Sequence, residues 1–224
     1  MTRDKIKEIL DMLNTIQEHL LALPDDMLLS IDPRDNKSLD RGTQFIKSFN
    51  DNLANYTKAS SKIETQIKTH FKINPEEEEV ERESLNRQKR DRMIKELDKT
   101  KNHYLDENFT YKRPYGFILS NTAYKGIKTW RNLYINLLKY LKATDPKKFA
   151  DLIHEEKFVS KKGNYIFSSD KSTLRTPVKL SSGFYTELNL SANHICKNIK
   201  ELLLHFSINP RDLKIYLRED RDAC

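Results

Sequence analysis

Asn189-Leu190-Ser191-Ala192-Asn193-His194 is the most specific local feature of this chain. A strand pattern stops there and a helix pattern starts, with short polar side chains around the first turn. The leading N–H groups of a helix have no intrahelical partner and carry a partial positive charge, so such a turn can seat a phosphate. Asn189 or Asn193 has the paired donor and acceptor that read an adenine edge. The plainer reading is capping by Ser191, worth about 1 kcal/mol.

Basic residues are the second signal. Lys112, Arg113, Lys125, Lys128 and Arg131 gather on an expected hairpin and the helix after it, and Lys161, Lys162, Arg175 and Lys179 decorate later hairpins. Such side chains neutralise phosphates and release counterions with little dependence on base sequence. Tyr111, Tyr115, Tyr124 and Tyr165 are interleaved with them and could stack on bases. The alternative is a solvated basic surface over strands whose tyrosines point into a core.

Catalytic patterns are sparse. His154-Glu155-Glu156 is the one dense acid–histidine cluster, and it reads as the solvated end of a short helix rather than a metal site. A metal-dependent nuclease needs a carboxylate pair with a lysine nearby. Asp170 and Glu187 supply carboxylates, but Glu187-Leu188-Asn189 brings no lysine. A phosphate loop, a Gly-x-Gly-x-x-Gly turn, His-Glu-x-x-His and Cys-x-x-Cys are all missing. The sequence therefore assigns no catalytic residue, no metal and no cofactor. Cys196 reads as a small core residue and Cys224 as a terminal one, so neither suggests a disulfide framework.

Two unlike halves must position these residues. Residues 1–107 carry 19 Lys/Arg against 22 Asp/Glu, and residues 108–224 carry 21 against 11. The excess of the whole chain, +7, thus resides in its second half. A basic unit on a neutral-to-acidic helical region suggests one part that assembles and one that touches a polyanion. Five glycines argue against a Gly-rich nucleotide-binding architecture, and ten tyrosines with ten phenylalanines argue against a disordered chain. No apolar run approaches the length of a membrane span, and Met1-Thr2-Arg3-Asp4-Lys5 leads straight into a charged helix, so a soluble, cytoplasmic protein is expected.

In the first half, Ile6, Ile9, Leu13, Ile16, Leu20 and Leu23 keep heptad spacing, which predicts a helix from about Arg3 to Ala22, stopped at Pro24. Met27, Leu28, Leu29 and Ile31 are too apolar for a free connector and are expected to pack back. A second helix is expected from near Ser38 to Phe71, with Ile46, Phe49, Leu53, Tyr56, Ser60, Ile63, Ile67 and His70 along its seam. Pro75 and Glu76-Glu77-Glu78-Glu79 predict the start of a third, running to Asp106. The acidic run is also a candidate internal competitor for the basic half. These helices read as a hairpin, bundle or coiled coil, completed by a second copy of the chain.

The second half changes period. Phe109 to Ile127 reads as strand, turn, strand around Ser120-Asn121-Thr122; Trp130, Leu133, Tyr134, Leu137, Leu138 and Leu141 share a helix face; Asp145-Pro146 caps a short helix. Strands follow near Tyr165 and on both sides of Ser181-Ser182-Gly183, then a helix capped by Ser191 and a last strand from Leu213 to Leu217. The order β-β-α-α-β-β-β-α-β defines a small mixed α+β domain with a mainly antiparallel sheet.

Lys112-Arg113-Pro114-Tyr115-Gly116-Phe117, Trp130-Arg131-Asn132-Leu133, Tyr185 through Asn193 and Asp212 through Leu217 together resemble a C-terminal module of poorly characterised bacterial and phage-associated proteins. Several of those lie near DNA restriction or phage defence. The resemblance spans about half the chain and implies a DNA- or phage-related role, without supplying an activity or site residues. The functional expectation is a non-enzymatic nucleic-acid binder, DNA favoured over RNA, that self-associates as a homo-oligomer through its helices and does not bind membranes. A protein-interaction adaptor or inhibitor is the first alternative, and a nuclease the second.

Overall fold

The computed structural model describes residues 3–32, 34–72, 81–82, 87–159 and 165–222. Helices α1 (Arg3–Ser30) and α2 (Asn36–His70) form an antiparallel hairpin. Ile6 and Leu10 pack on Ile67, and Gln17 donates a buried hydrogen bond of 2.9 Å to the Thr57 hydroxyl. Asp35 caps α2 by accepting the Lys37 N–H. Ile31 lies over Gly42, where a Cβ would fall 2.2 Å from its Cδ1, so glycine lets the connector close onto α2.

Several helical expectations change. α1 runs through Pro24 instead of stopping there. A proline removes one helical hydrogen bond, and this turn is held from outside: Leu21 and Ala22 are buried, and Asp25 is bound by Ser191. The connector does not pack back as a whole, since Leu29 is 80% exposed and Leu28 58%. The buried line of α1 is also rotated from the predicted seam. It follows Ile6, Leu10, Gln17 and Leu21, leaving Ile16 exposed, because α1 faces the C-terminal module as well as α2.

The third helix is shorter than expected. α3 (Arg87–Leu97) is preceded by β1 (Glu81–Arg82) and followed by β2 (Asn102–His103). Glu76–Glu79 lie outside the described residues. Residues 81–82 take extended backbone because their partners are Tyr124 and Lys125 on a sheet edge; strand pairing overrides helix propensity. Met93 and Leu97 cover Ile118, Ala123 and Tyr216 on one face of that sheet. β1, α3 and β2 thus all pack on strands of the C-terminal half, so contacts cross residue 107.

From Pro114 the element order is the expected one. It comprises β3 (Pro114–Leu119), β4 (Thr122–Lys125), α4 (Trp130–Thr144), α5 (Pro146–Asp151), β5 (Phe167–Ser168), β6 (Pro177–Ser181), β7 (Phe184–Glu187), α6 (Ala192–His205) and β8 (Leu213–Leu217). A last short helix, α7 (Arg218–Asp222), follows. The fold is α+β. One antiparallel sheet has the order β1-β4-β3-β8-β2 and a second β5-β7-β6. Phe117, Leu119, Leu213, Ile215 and Leu217 alternate onto the face that meets α4 and α6, while Ile118 and Tyr216 face α3, the period-two signature of strands.

Local chemistry sets the ends of α4. Thr129 caps it by accepting the Asn132 N–H, and Asp145 ends it while capping α5 through the Lys148 N–H, with Pro146 in the first turn. The Trp130 indole donates to the Lys112 carbonyl at 2.7 Å. Cys196 is buried in the same core, which pushes its thiol pKa up. Among the described residues, no helix is long and apolar enough to cross a membrane.

Candidate nucleic-acid interface

Ser191 caps α6, accepting the His194 N–H on its hydroxyl. The same hydroxyl donates to Asp25 of α1 at 2.7 Å and lies 2.9 Å from His194 Nδ1. With the hydroxyl hydrogen on Asp25, His194 must donate from Nδ1. Asn193, the other expected base reader in this turn, is wholly structural. Its oxygen accepts the Phe109 N–H at 2.9 Å, and its NH2 donates to Asn108 and Thr110. It fastens the 108–110 turn to α6.

Asn189 is different. It lines a cleft of about 470 Å³ between α6 and the three-stranded sheet, and its carboxamide oxygen finds no hydrogen-bond partner among the described residues. Arg175, Tyr165, Lys157, His194 and Lys197 share the lining, with Phe158, Ile166 and Leu190 as its apolar part. Tyr165 is 43% exposed. Glu201 also lies on the wall. Glu187 is beneath, 8% exposed, with its carboxylate accepting N–H groups from Arg175 (2.6 Å), Thr176 (3.1 Å) and Asn189 (2.6 Å). That carboxylate ties the start of β6 to the end of β7 and sets the spacing of Arg175 and Asn189 across the cleft.

Lys157 Nζ lies 2.5 Å from His205 Nδ1. Burial, then the Lys157 charge, lower the His205 pKa. Asp170, the other carboxylate considered for a nuclease, caps a 3-10 turn through Ser172, whose hydroxyl and N–H hold its pKa below the usual range. Both carboxylates are thus engaged as local anchors. Among the described residues, no cluster of His, Cys, Asp and Glu could hold a metal ion.

The remaining basic residues divide. Lys125 pairs with Glu96 of α3 at 2.7 Å, Arg113 with Glu219 at 3.4 Å, and Lys179 is exposed on β6. Lys112 lies 5.9 Å from the Phe109 ring centre, and Lys128 is half-buried. Arg131 is only partly exposed: its Nε and Nη2 are closed off from solvent with no partner among the described residues. Lys161 and Lys162 lie outside the described residues, between Val159 and Tyr165, which pair across the chain at the cleft.

Sequence reasoning missed α1's part in this surface. Asp11 lies 3.5 Å from Arg218, Glu18 accepts the Trp130 N–H at 2.5 Å on the first turn of α4, and Asp25 binds Ser191 on the first turn of α6. The signal was visible as three acids at seven-residue intervals, one face of one helix. Burial raises the Glu18 pKa to about 7, against the lowering pull of the Trp130 N–H and of Arg131, Arg218 and Arg113.

Comparison with known proteins adds nothing to this geometry: no family model matches the chain, and no curated protein or solved structure is similar to it.

Proposed function

We propose that this protein binds nucleic acid without catalysing a reaction on it, and that the cleft between α6 and the three-stranded sheet takes an unpaired nucleotide. The observation that carries this reading is the convergence of Tyr165, Arg175 and Asn189, spaced 10 and 14 residues apart, on one cleft with Lys157 and Lys197. Lysine and arginine at its rim meet phosphates, Tyr165 offers a stacking face, and the Asn189 carboxamide has an acceptor that a base edge can pair once the amide turns toward it. DNA is favoured over RNA, and a part in restriction or phage defence follows from the resemblance of the C-terminal half. Self-association would use apolar residues left exposed on the hairpin, among them Met12, Ile16, Phe45 and Ile63.

The test is a salt series of fluorescence anisotropy with single-stranded DNA, double-stranded DNA and RNA, beside sedimentation to read the oligomer. Binding should fall along a straight line in log–log form. Arg175→Ala with Lys197→Ala should flatten that line by about 1.4 for single strands, two phosphates at roughly 0.7 each. Tyr165→Ala should weaken binding at every salt concentration. No binding at low salt overturns the proposal and leaves the adaptor reading, for which the exposed Leu28 and Leu29 are the specific support.

A further inference from the structure

Asp11, Glu18 and Asp25 repeat every seven residues along α1, about 10 Å apart at the usual helical rise. Each meets a positive feature of the module: Arg218, the first turn of α4, and the first turn of α6. Arg113 and Arg131 add their fields at Glu18. Three acids in register with three cationic seats form a complementary surface, and the seats are the kind that hold phosphate.

Two observations show that carboxylates fill these seats poorly. Arg131 keeps Nε and Nη2 closed off from water and without a partner among the described residues, although the charges of Glu18, Glu64 and Glu187 all act on it. Guanidinium N–H groups shut away from water with no acceptor are a costly arrangement, and an oxyanion with more acceptor oxygens than a carboxylate would relieve it. Glu18 itself is held where burial favours its neutral form. A phosphodiester stays ionised there at any physiological pH and would meet the three arginines at full charge.

We propose that α1 is a detachable acidic strap, whose Asp11, Glu18 and Asp25 occupy a phosphate-binding face built from Arg113, Arg131, Arg218 and the first turns of α4 and α6, and that a nucleic-acid backbone competes for those seats. The face adjoins the cleft, since Leu190 borders both and His194 lies 2.9 Å from Ser191 while lining the cleft. A strand anchored by one nucleotide in the cleft would run onto the face as α1 leaves it. The ligand class rests on the proposed nucleic-acid reading; the strap and the face do not.

The experiment uses the full chain and a fluorescein-labelled oligothymidylate. The variant Asp11→Asn, Asp25→Asn keeps side-chain size and leaves the Glu18 contact with the Trp130 N–H in place. It should bind about tenfold tighter or more, because a larger fraction of molecules presents the open face. Adding Arg218→Gln and Arg113→Gln should abolish the gain. In the wild-type protein, saturating oligothymidylate should speed amide hydrogen exchange along 3–30 while leaving 192–205 protected. Unchanged affinity in the variant, or unchanged exchange in wild-type α1 at saturation, overturns the strap. The cleft is read separately from the effect of Tyr165→Ala on wild-type binding. If wild type fails to bind and the variant binds, the cleft reading falls and the strap stands. If the double variant fails to fold by circular dichroism, wild-type exchange decides alone.

Discussion

Replacing Glu18 by glutamine should remove a pH dependence from the stability of the whole chain. In the folded protein its carboxyl titrates near 7, raised from 4.5 chiefly by burial at the start of α4. A carboxyl whose folded pKa is raised holds its proton more tightly in the folded state. Its stabilising contribution is complete below about pH 4.5 and is lost as pH rises toward 7. Between pH 5 and pH 8 the loss amounts to about 2.5 kcal/mol. The amide of the Glu18→Gln variant accepts the Trp130 N–H but cannot ionise, so it keeps the hydrogen bond and drops the linkage. Urea denaturation of both proteins at pH 5, 6, 7 and 8 gives the comparison. The wild-type curve should descend relative to the variant by about that amount, with most of the change below pH 7. Carboxyl carbon shifts of Glu18 in the native protein should titrate with a midpoint near neutrality. Parallel stability profiles for the two proteins, or a Glu18 midpoint near the ordinary value, would refute the assignment of a desolvated carboxyl beneath α1.

Other outcomes follow from single contacts. Gly116→Ala should lower stability by about 2 kcal/mol in thermal denaturation, because a Cβ would lie 2.5 Å from the Tyr124 carbonyl oxygen across the β3–β4 ladder. Glu187→Ala should cost about 3 kcal/mol by stranding three N–H groups, and faster exchange at 175, 176 and 189 would place the damage. His103, 3% exposed, bridges Glu107 at 2.6 Å and Asp220 at 2.7 Å; His103→Ala should loosen α7, read as faster exchange at 218–220. Cys196 should resist alkylation in the native state at pH 8 and react on unfolding, since burial raises its thiol pKa.

What the sequence made legible was local. Trp130, Leu133, Leu137 and Leu141 mark α4 because a helix repeats its face every three to four residues, and Asp145-Pro146 and Ser191 mark caps because their side chains act within four residues. Those signals need no partner elsewhere in the chain. Glu81–Arg82 became a strand only because an edge waits at Tyr124–Lys125, and nothing within the acidic, proline-bordered stretch announces that edge. The site divides in the same way. Arg175, Asn189 and Tyr165 were identifiable by type, but Arg175 and Asn189 meet through the Glu187 carboxylate and Tyr165 reaches the cleft by pairing with Val159. Asn193 had the right chemistry and the right position, and long-range bonds to the 108–110 turn took its donors and acceptor. Arg131 was expected among the phosphate-contacting basic residues, and its Nε and Nη2 are closed off from solvent.

The strand order β1-β4-β3-β8-β2 puts the last strand of the chain inside the larger sheet, beside one of the first hairpin strands. Phe117 must wait for Ile215, roughly a hundred residues later, before β3 gains its second neighbour, and such long-range pairing slows folding. Until then the β3–β4 hairpin has one bare edge and Phe117 and Leu119 have only part of their cover. Without residues 213–217, β3 would keep one unpaired edge. A nonsense codon anywhere before β8 leaves a gap within the sheet rather than a trimmed margin, so fragments shortened at that end should be aggregation-prone and quickly degraded rather than partly active.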